Sequence, residues 1–391
     1  MEYEIIIKKF FKKSFKKKIY SNHSPFITNI ENSEVQKCIK TTFVSTAGKY
    51  QNLFVKKISK ILDTKYVIPL NSGTSALHIA MILSKLGKDD EVLMPSLTFA
   101  ATANSVVYVG ANPHFVDVNK YTLTVDFDKL EMNLKKFKFK DGYLYNHISK
   151  KKIRALVLVH TYGFAGMVER AKKLCKKYNL IFIEDAAESL CSYYNNKHTG
   201  TFGDFGCISF NGNKIITTGA GGLLITKKKN DYLKGILFSN VNKKTIPNVF
   251  DFWGVGYNYK MPSLNAALGY GQLKNLKKIL RLKSRLHYLY KNYFKLNKKI
   301  IFYTDIKEFK QKSNYWLNTI LINDSNFKKK NHIKLLESLN KININIRPTW
   351  KPLHTLKHFR HYYKSDLTST NYLKYRLFNL PSSPDIILHE K

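Results

Sequence analysis

From about residue 50 to residue 240 the chain alternates short apolar runs with segments of helical spacing, and few architectures accept that pattern. "YVIPL" (66–70) reads as a strand. "SALHIAMILSKLG" follows it, with Leu77, Ala80, Met81 and Leu86 on or near one helical face. "EVLMP" (91–95), a helix from about Ala100, "PHFVDV" (113–118), "ALVLVH" (155–160), a helix over 167–179 and "IFIEDA" (181–186) repeat the alternation. "CISF" (207–210) and "GGLLIT" (221–226) are again short and apolar. Strand, helix, strand at this spacing predicts an α/β domain with a largely parallel sheet. Such sheets bind ligands at the carboxyl ends of their strands, so the residues just past these runs are the candidates for chemistry. The segment 138–153, "KFKDGYLYNHISKKKI", has no clear periodicity and reads as a loop insertion.

The texture changes after about residue 240. A long basic helical stretch runs from about Leu264 to Leu296, and "YWLNTILIND", "NINIRPTWKPLH" and "LFNLPSSPDI" suggest a smaller α+β domain. A boundary near 240–260 separates a large domain with its N-terminal helical segment (1–250) from the long helix and small C-terminal domain (251–391). The N-terminal "MEYEIIIKKFFKKSFKKKIY" lacks the apolar core and small-residue cleavage site of a signal peptide. It reads as a helix packed on the body, the alternative being contact with a membrane surface. No apolar run reaches the roughly 18 residues that a membrane span needs. Cys38, Cys175, Cys191 and Cys207 form no CxxC pair. The expectation is therefore a cytoplasmic protein with reduced thiols, no membrane span and no metal.

Lys and Arg total 66 against 27 acidic residues, a formal net charge of +39. An excess of this kind points to a polyanion partner such as nucleic acid. Here the basic residues are spread over most of the chain, Lys, Asn, Ile, Tyr and Phe are all abundant, and no nucleic-acid motif is present. Compositional drift is the preferred reading, with no nucleic-acid partner.

Three clusters carry chemistry. "NSGTSALHIA" (71–80) places Gly73, Thr74 and Ser75 where a strand ends and a helix opens. Free N–H groups and hydroxyls there make a phosphate cradle, or an ordinary N-cap. In "IFIEDAAES" (181–189), Asp185 sits at a strand's carboxyl end, where an acid needs a cation or strong donors unless it caps the next helix. "SFNGNKIITTGAGG" (209–222) holds Lys214 and no other charged residue. Lysine is an amine nucleophile toward carbonyls, and Gly219, Gly221 and Gly222 allow close approach to a flat ligand, although a lysine in a surface loop would look the same. Together the three match what pyridoxal phosphate needs: a helix N-terminus for the phosphate, an acid for the pyridine nitrogen and a lysine for the aldehyde.

The sequence resembles the DegT/DnrJ/EryC1/StrS sugar aminotransferases, a branch of the fold-type I pyridoxal phosphate enzymes, over roughly residues 35–385. The resemblance rests on "NSGTSALH", "PSLTFAATANSVVYVGANPHFVDV", "HTYGFAG", "EDAAES", "GTFGDFGCISFNGNK", "GYNYKMPSLNAALG" and "RPTWKPLH", in the family's order. "TTFVSTAGKY" (41–50), "FNGNKIITTGAGG" and "NLPSSP" (379–384) look closest to the LegC-like group, which aminates nucleotide-linked 4-keto-6-deoxy sugars on routes to legionaminic acid or bacillosamine-type sugars.

The resemblance implies a large domain with a mixed, mostly parallel seven-stranded sheet, a small C-terminal α+β domain, and a homodimer with shared active sites. It implies L-glutamate as amino donor, leaving as 2-oxoglutarate, and a nucleotide-linked keto sugar as acceptor. Lys214 matches the lysine that bonds the cofactor, and Asp185 the acid on its ring nitrogen. Gly73, Thr74 and Ser209 match the phosphate set, and Phe99 the aromatic residue stacked on the ring. Glu188 stands near the cofactor's phenolic oxygen. Asn258 matches an asparagine that reaches the phosphate from the neighbouring subunit. Arg347 and His354 fall in the substrate-side segment. Ala220 replaces the usual acidic or glycine residue, an exchange expected to be neutral. Members that act as dehydratases carry histidine in place of the lysine; Lys214 is retained here.

Overall fold

The computed structural model describes residues 2–246, 249–306, 308 and 310–391. Seven strands form the main path of the central sheet, in the order Val67–Leu70, Gly222–Thr226, Phe205–Ser209, Ile181–Asp185, Lys151–Val159, Asp90–Pro95, Asn112–Val116. The two pairings made by Gly222–Thr226 are antiparallel and the other four are parallel.

The apolar runs lack polar alternation because both faces of the sheet are buried. Successive side chains of a strand point to opposite faces. Val92 and Met94 accordingly join one core with the helices Gly73–Leu83 and Ala100–Tyr108, whereas Leu93 joins another with Phe127–Leu134 and Val168–Tyr178. Ala155, Val157 and Val159 divide from Leu156 and Leu158 in the same way.

The segment expected to be a loop insertion is instead a hairpin. Lys138–Lys140 pairs with Tyr143–Asn146, which pairs with the start of Lys151–Val159 and brings the sheet to nine strands. Its period of two was disguised by an inward-facing polar residue. Asn146 is fully buried and donates to both carboxylate oxygens of Glu91, at 3.2 and 3.1 Å.

The helix Ser263–Phe294 ties the large sheet to a smaller one. Its Ala266 and Ala267 pack with Phe54 and Phe210, and its Leu286, Tyr290 and Phe294 pack with Ile300 and Ile320. The small sheet runs Ile300–Phe302, Asn318–Ile322, Leu377–Leu380, Arg347–Pro348, antiparallel throughout. The N-terminal segment forms the helix Glu2–Ser14, which buries Tyr3, Ile7, Phe10 and Phe11; Phe10 stacks on Tyr290 at 4.5 Å between centroids. Among the described residues no helix is long and apolar enough to cross a membrane.

Candidate active site

The parallel topology gathers five strand ends at one edge, and Ser72, Phe99, Val159, Asp185 and Ser209 from those ends line a cavity of about 680 Å3. Trp316, Arg347 and Trp350, in or near the small sheet, wall its other side, together with Asn22 from the arm that follows the N-terminal helix.

One corner of the cavity is a helix N-terminus. The helix Gly73–Leu83 begins there, and Ser72 caps it by accepting the N–H of Ser75 at 3.0 Å. The first N–H groups of a helix have no partner within it, so those of Gly73 and Thr74 are left for a ligand beside Ser209. The cradle has no room for a side chain: a Cβ added to Gly73 would lie 2.8 Å from the Ser209 Cβ. Two of the glycines after Lys214 are close-packed as well, and Gly221 also lines the cavity. A Cβ on Gly222 would meet the Ser72 carbonyl oxygen at 2.2 Å, and one on Gly221 would meet Thr218 Oγ1 at 2.0 Å.

Asp185 ends its strand buried, with Thr102 Oγ1 donating to Oδ2 at 2.7 Å and the Ala187 N–H donating to Oδ1 at 3.2 Å. Burial pushes its carboxyl above the usual aspartate range, against the pull of Thr102, the Ala187 N–H and the more distant Lys214. Two neutral donors do not compensate a buried carboxylate; a cation set against it would.

Lys214 Nζ lies 3.5 Å from Glu188 Oε1 and 4.2 Å from the centre of the Trp316 ring. The ring is held by its Nε1, which donates to the Asn213 carbonyl at 2.6 Å. The lysine that looked isolated in sequence therefore has a carboxylate and a π-face as partners. Glu188 also accepts the Tyr162 N–H at 2.8 Å. Burial pushes the Glu188 carboxyl up to about 7, although Lys214 and that N–H pull it down.

Gly73, Thr74, Phe99, Asp185, Glu188, Ser209, Lys214 and Arg347 thus share one cavity. His354 is not among its lining residues: its Nδ1 pairs with Ser96 Oγ at 2.7 Å, behind the wall. Asn258 also lies outside it, exposed, with its backbone carbonyl accepting from Asn71 Nδ2 at 3.2 Å. Asn22, Thr102, Tyr162, Trp316 and Trp350 were not anticipated. Trp316 and Trp350 lie in quoted motifs, but aromatic residues in such strands are ordinarily core, and nothing local marks Asn22.

The donor set fits pyridoxal phosphate. An anion has the helix N-terminus and Ser209, an under-compensated carboxylate at Asp185 calls for a cation, and the Lys214 amine lines the same cavity. Phe99, 58% exposed despite its size, offers an uncovered ring face at the same site.

Residues 25–390 match the DegT/DnrJ/EryC1/StrS aminotransferase family. The chain is 30% identical over 370 residues to the GDP-perosamine synthase of Escherichia coli O157:H7, covering 93% of each chain. It is 30% identical over 338 residues to the UDP-4-amino-4,6-dideoxy-N-acetyl-beta-L-altrosamine transaminase of Campylobacter jejuni serotype O:23/36, covering 85% of this chain and 84% of that one. Helicobacter pylori PseC, an aminotransferase involved in the biosynthesis of pseudoaminic acid, superposes with a TM-score of 0.82 at 25% identity, over 93% of this chain and 94% of that one.

Proposed function

The chain belongs to the DegT/DnrJ/EryC1/StrS aminotransferase family, and from that premise we propose that it moves an amino group from L-glutamate to C4 of a nucleotide-linked 2-acetamido-2,6-dideoxy-4-keto hexose. It is a sugar aminotransferase of fold type I that works with pyridoxal 5′-phosphate. The acceptor would be linked to UDP or GDP, and its product would enter surface-glycan synthesis on routes to legionaminic acid or bacillosamine-type sugars. We place the reaction in the cytoplasm, where nucleotide sugars are made.

The observation that carries the reading is one cavity holding Lys214, Asp185 and the Gly73 cradle together. Gly73, Thr74 and Ser209 would hold the phosphate, Phe99 would cover the ring, and Asp185 would keep a proton at the ring nitrogen. Pyridoxal phosphate supplies an aldehyde that takes up the amino group and a ring that draws electrons from the bond broken at Cα. The amine of Lys214 would take the proton from the donor's Cα as general base and deliver it, as general acid, to the carbon on the other side of the nitrogen. Glu188 lies near enough to Lys214 to share that proton. Trp316 and Trp350 exclude water from one side.

The working unit we propose is a homodimer with shared sites. Asn258 is exposed and is not among the residues that line its own chain's cavity, which supports that reading. A perosamine-type acceptor is the second reading, favoured by the likeness to the GDP-perosamine synthase. The test is to convert the enzyme with glutamate until the cofactor's colour is lost, then add each keto sugar. Recovery of colour with the 2-acetamido sugar, and not with GDP-4-keto-6-deoxy-D-mannose, is the expected result; the reverse order establishes the second reading.

A further inference from the structure

We infer that Asn22 determines specificity for the sugar, its side-chain oxygen accepting the amide N–H of the acetamido group. This rests on the 2-acetamido reading above.

Asn22 is 4% exposed yet lines the cavity. Its amide cannot be turned round. Nδ2 donates to the carbonyls of Asn379 at 2.9 Å and Leu380 at 3.4 Å, and a flipped amide would set oxygen against both. The same constraint directs Oδ1 away from those carbonyls, and among the described residues no group donates to it. Oδ1 is not closed off with the rest of the side chain, and an acceptor held in one direction and open to the cavity takes its donor from whatever enters there.

The arm is held on both sides of this residue. The Ser382 N–H donates to the Asn22 carbonyl at 2.6 Å, the Ser24 N–H to Ser383 Oγ at 2.8 Å, and the Tyr20 N–H to the Asn343 carbonyl at 2.8 Å. Lys283, fully buried, braces the wall from behind by donating to the carbonyls of Trp316 at 2.7 Å and Ser382 at 2.6 Å. The acceptor is therefore fixed in direction before a ligand arrives, which is what discrimination requires.

Its surroundings suit a hexose. Trp350 stacks on Tyr162 with centroids 4.7 Å apart, and Trp316 stands beside them, so ring faces meet the C–H faces of a pyranose while Asn22 meets one polar substituent. An acetamido N–H has one fixed direction. A hydroxyl at the same carbon rotates and finds another acceptor or water, so losing the Asn22 oxygen penalises the acetamido sugar more.

The experiment compares the holoenzyme on two UDP-linked 4-keto-6-deoxy sugars, one 2-acetamido and one 2-acetoxy, in which oxygen replaces the N–H. In the wild type the ester is expected to show a KM about tenfold higher. In Asn22→Ala the two sugars are expected to be alike, with the acetamido KM raised to the ester's level. A KM ratio near one in the wild type, or a tenfold ratio that survives in the variant, overturns the inference. The wild-type comparison stands by itself if the variant does not fold. Wild-type enzyme that loses colour with glutamate but accepts neither sugar contradicts the acceptor reading instead.

Discussion

Replacing Glu188 by glutamine should make the protein more stable relative to wild type as pH rises. The carboxyl is buried and displaced from 4.5 to about 7. The displacement is upward, so between these values the folded state keeps a proton that the unfolded state has released. Stability contributed by this group is then intact below about 4.5 and is lost as pH climbs through 7. One pH unit of displacement is worth about 1.4 kcal/mol. The full loss is about 3 kcal/mol, roughly 2.5 of it between pH 5 and pH 8. Glutamine keeps an acceptor for the Tyr162 N–H and has no proton to lose. The pull of Lys214 on the ionised carboxylate is already contained in the value of about 7 and adds no separate pH dependence. Urea unfolding of cofactor-free wild type and Glu188→Gln at pH 5 and pH 8 reads the effect. The stability difference should shift by roughly 2.5 kcal/mol in the variant's favour at the higher pH. A difference that is flat with pH would mean that Glu188 is ionised in the folded protein throughout, and that the buried proton argued here does not exist.

Gly73→Ala should weaken pyridoxal phosphate binding by at least about tenfold, because the new Cβ would sit 2.8 Å from the Ser209 Cβ inside the cradle. Gly87→Ala, where an added Cβ has nothing within 4 Å, is the control, and titration of the cofactor's colour is the readout. Asp117→Ala should destabilise the fold by about 3 kcal/mol. Its buried carboxylate accepts the N–H groups of Ser369 at 2.9 Å and Thr370 at 2.8 Å and pairs with Lys129 Nζ at 2.7 Å. Urea midpoints check the size, and faster amide exchange over 366–373 checks the place.

The large sheet was legible because its strands are buried on both faces and so appear as unbroken apolar runs, with the polar exceptions at their ends. Asp185 stands out as an acid at a strand's carboxyl end, and Lys214 as the one charge in residues 209–222. The hairpin was missed although Asp141-Gly142, a strong turn signal, stands at its tip. Buried Asn146 broke the alternation that would have confirmed its second strand. The far wall of the cavity was harder to foresee for a different reason. Asn22 is functional only through carbonyls 357 and 358 residues away, and Trp316 only because it is held over Lys214. Neither relation leaves a trace in local spacing. His354 shows the converse: a motif position marks it, yet in the fold it pairs with Ser96.

The central claim is that Lys214 is the amine that holds the cofactor and moves the proton. The measurement that tests it most directly is the visible absorption of purified protein with pyridoxal phosphate, before and after L-glutamate, for wild type and Lys214→Ala. Wild type should develop the colour of lysine-bound cofactor and lose it on adding glutamate, while the variant should form no such species and complete no turnover. A variant that binds, bleaches and turns over like wild type would contradict the assignment and leave the cavity without its chemistry.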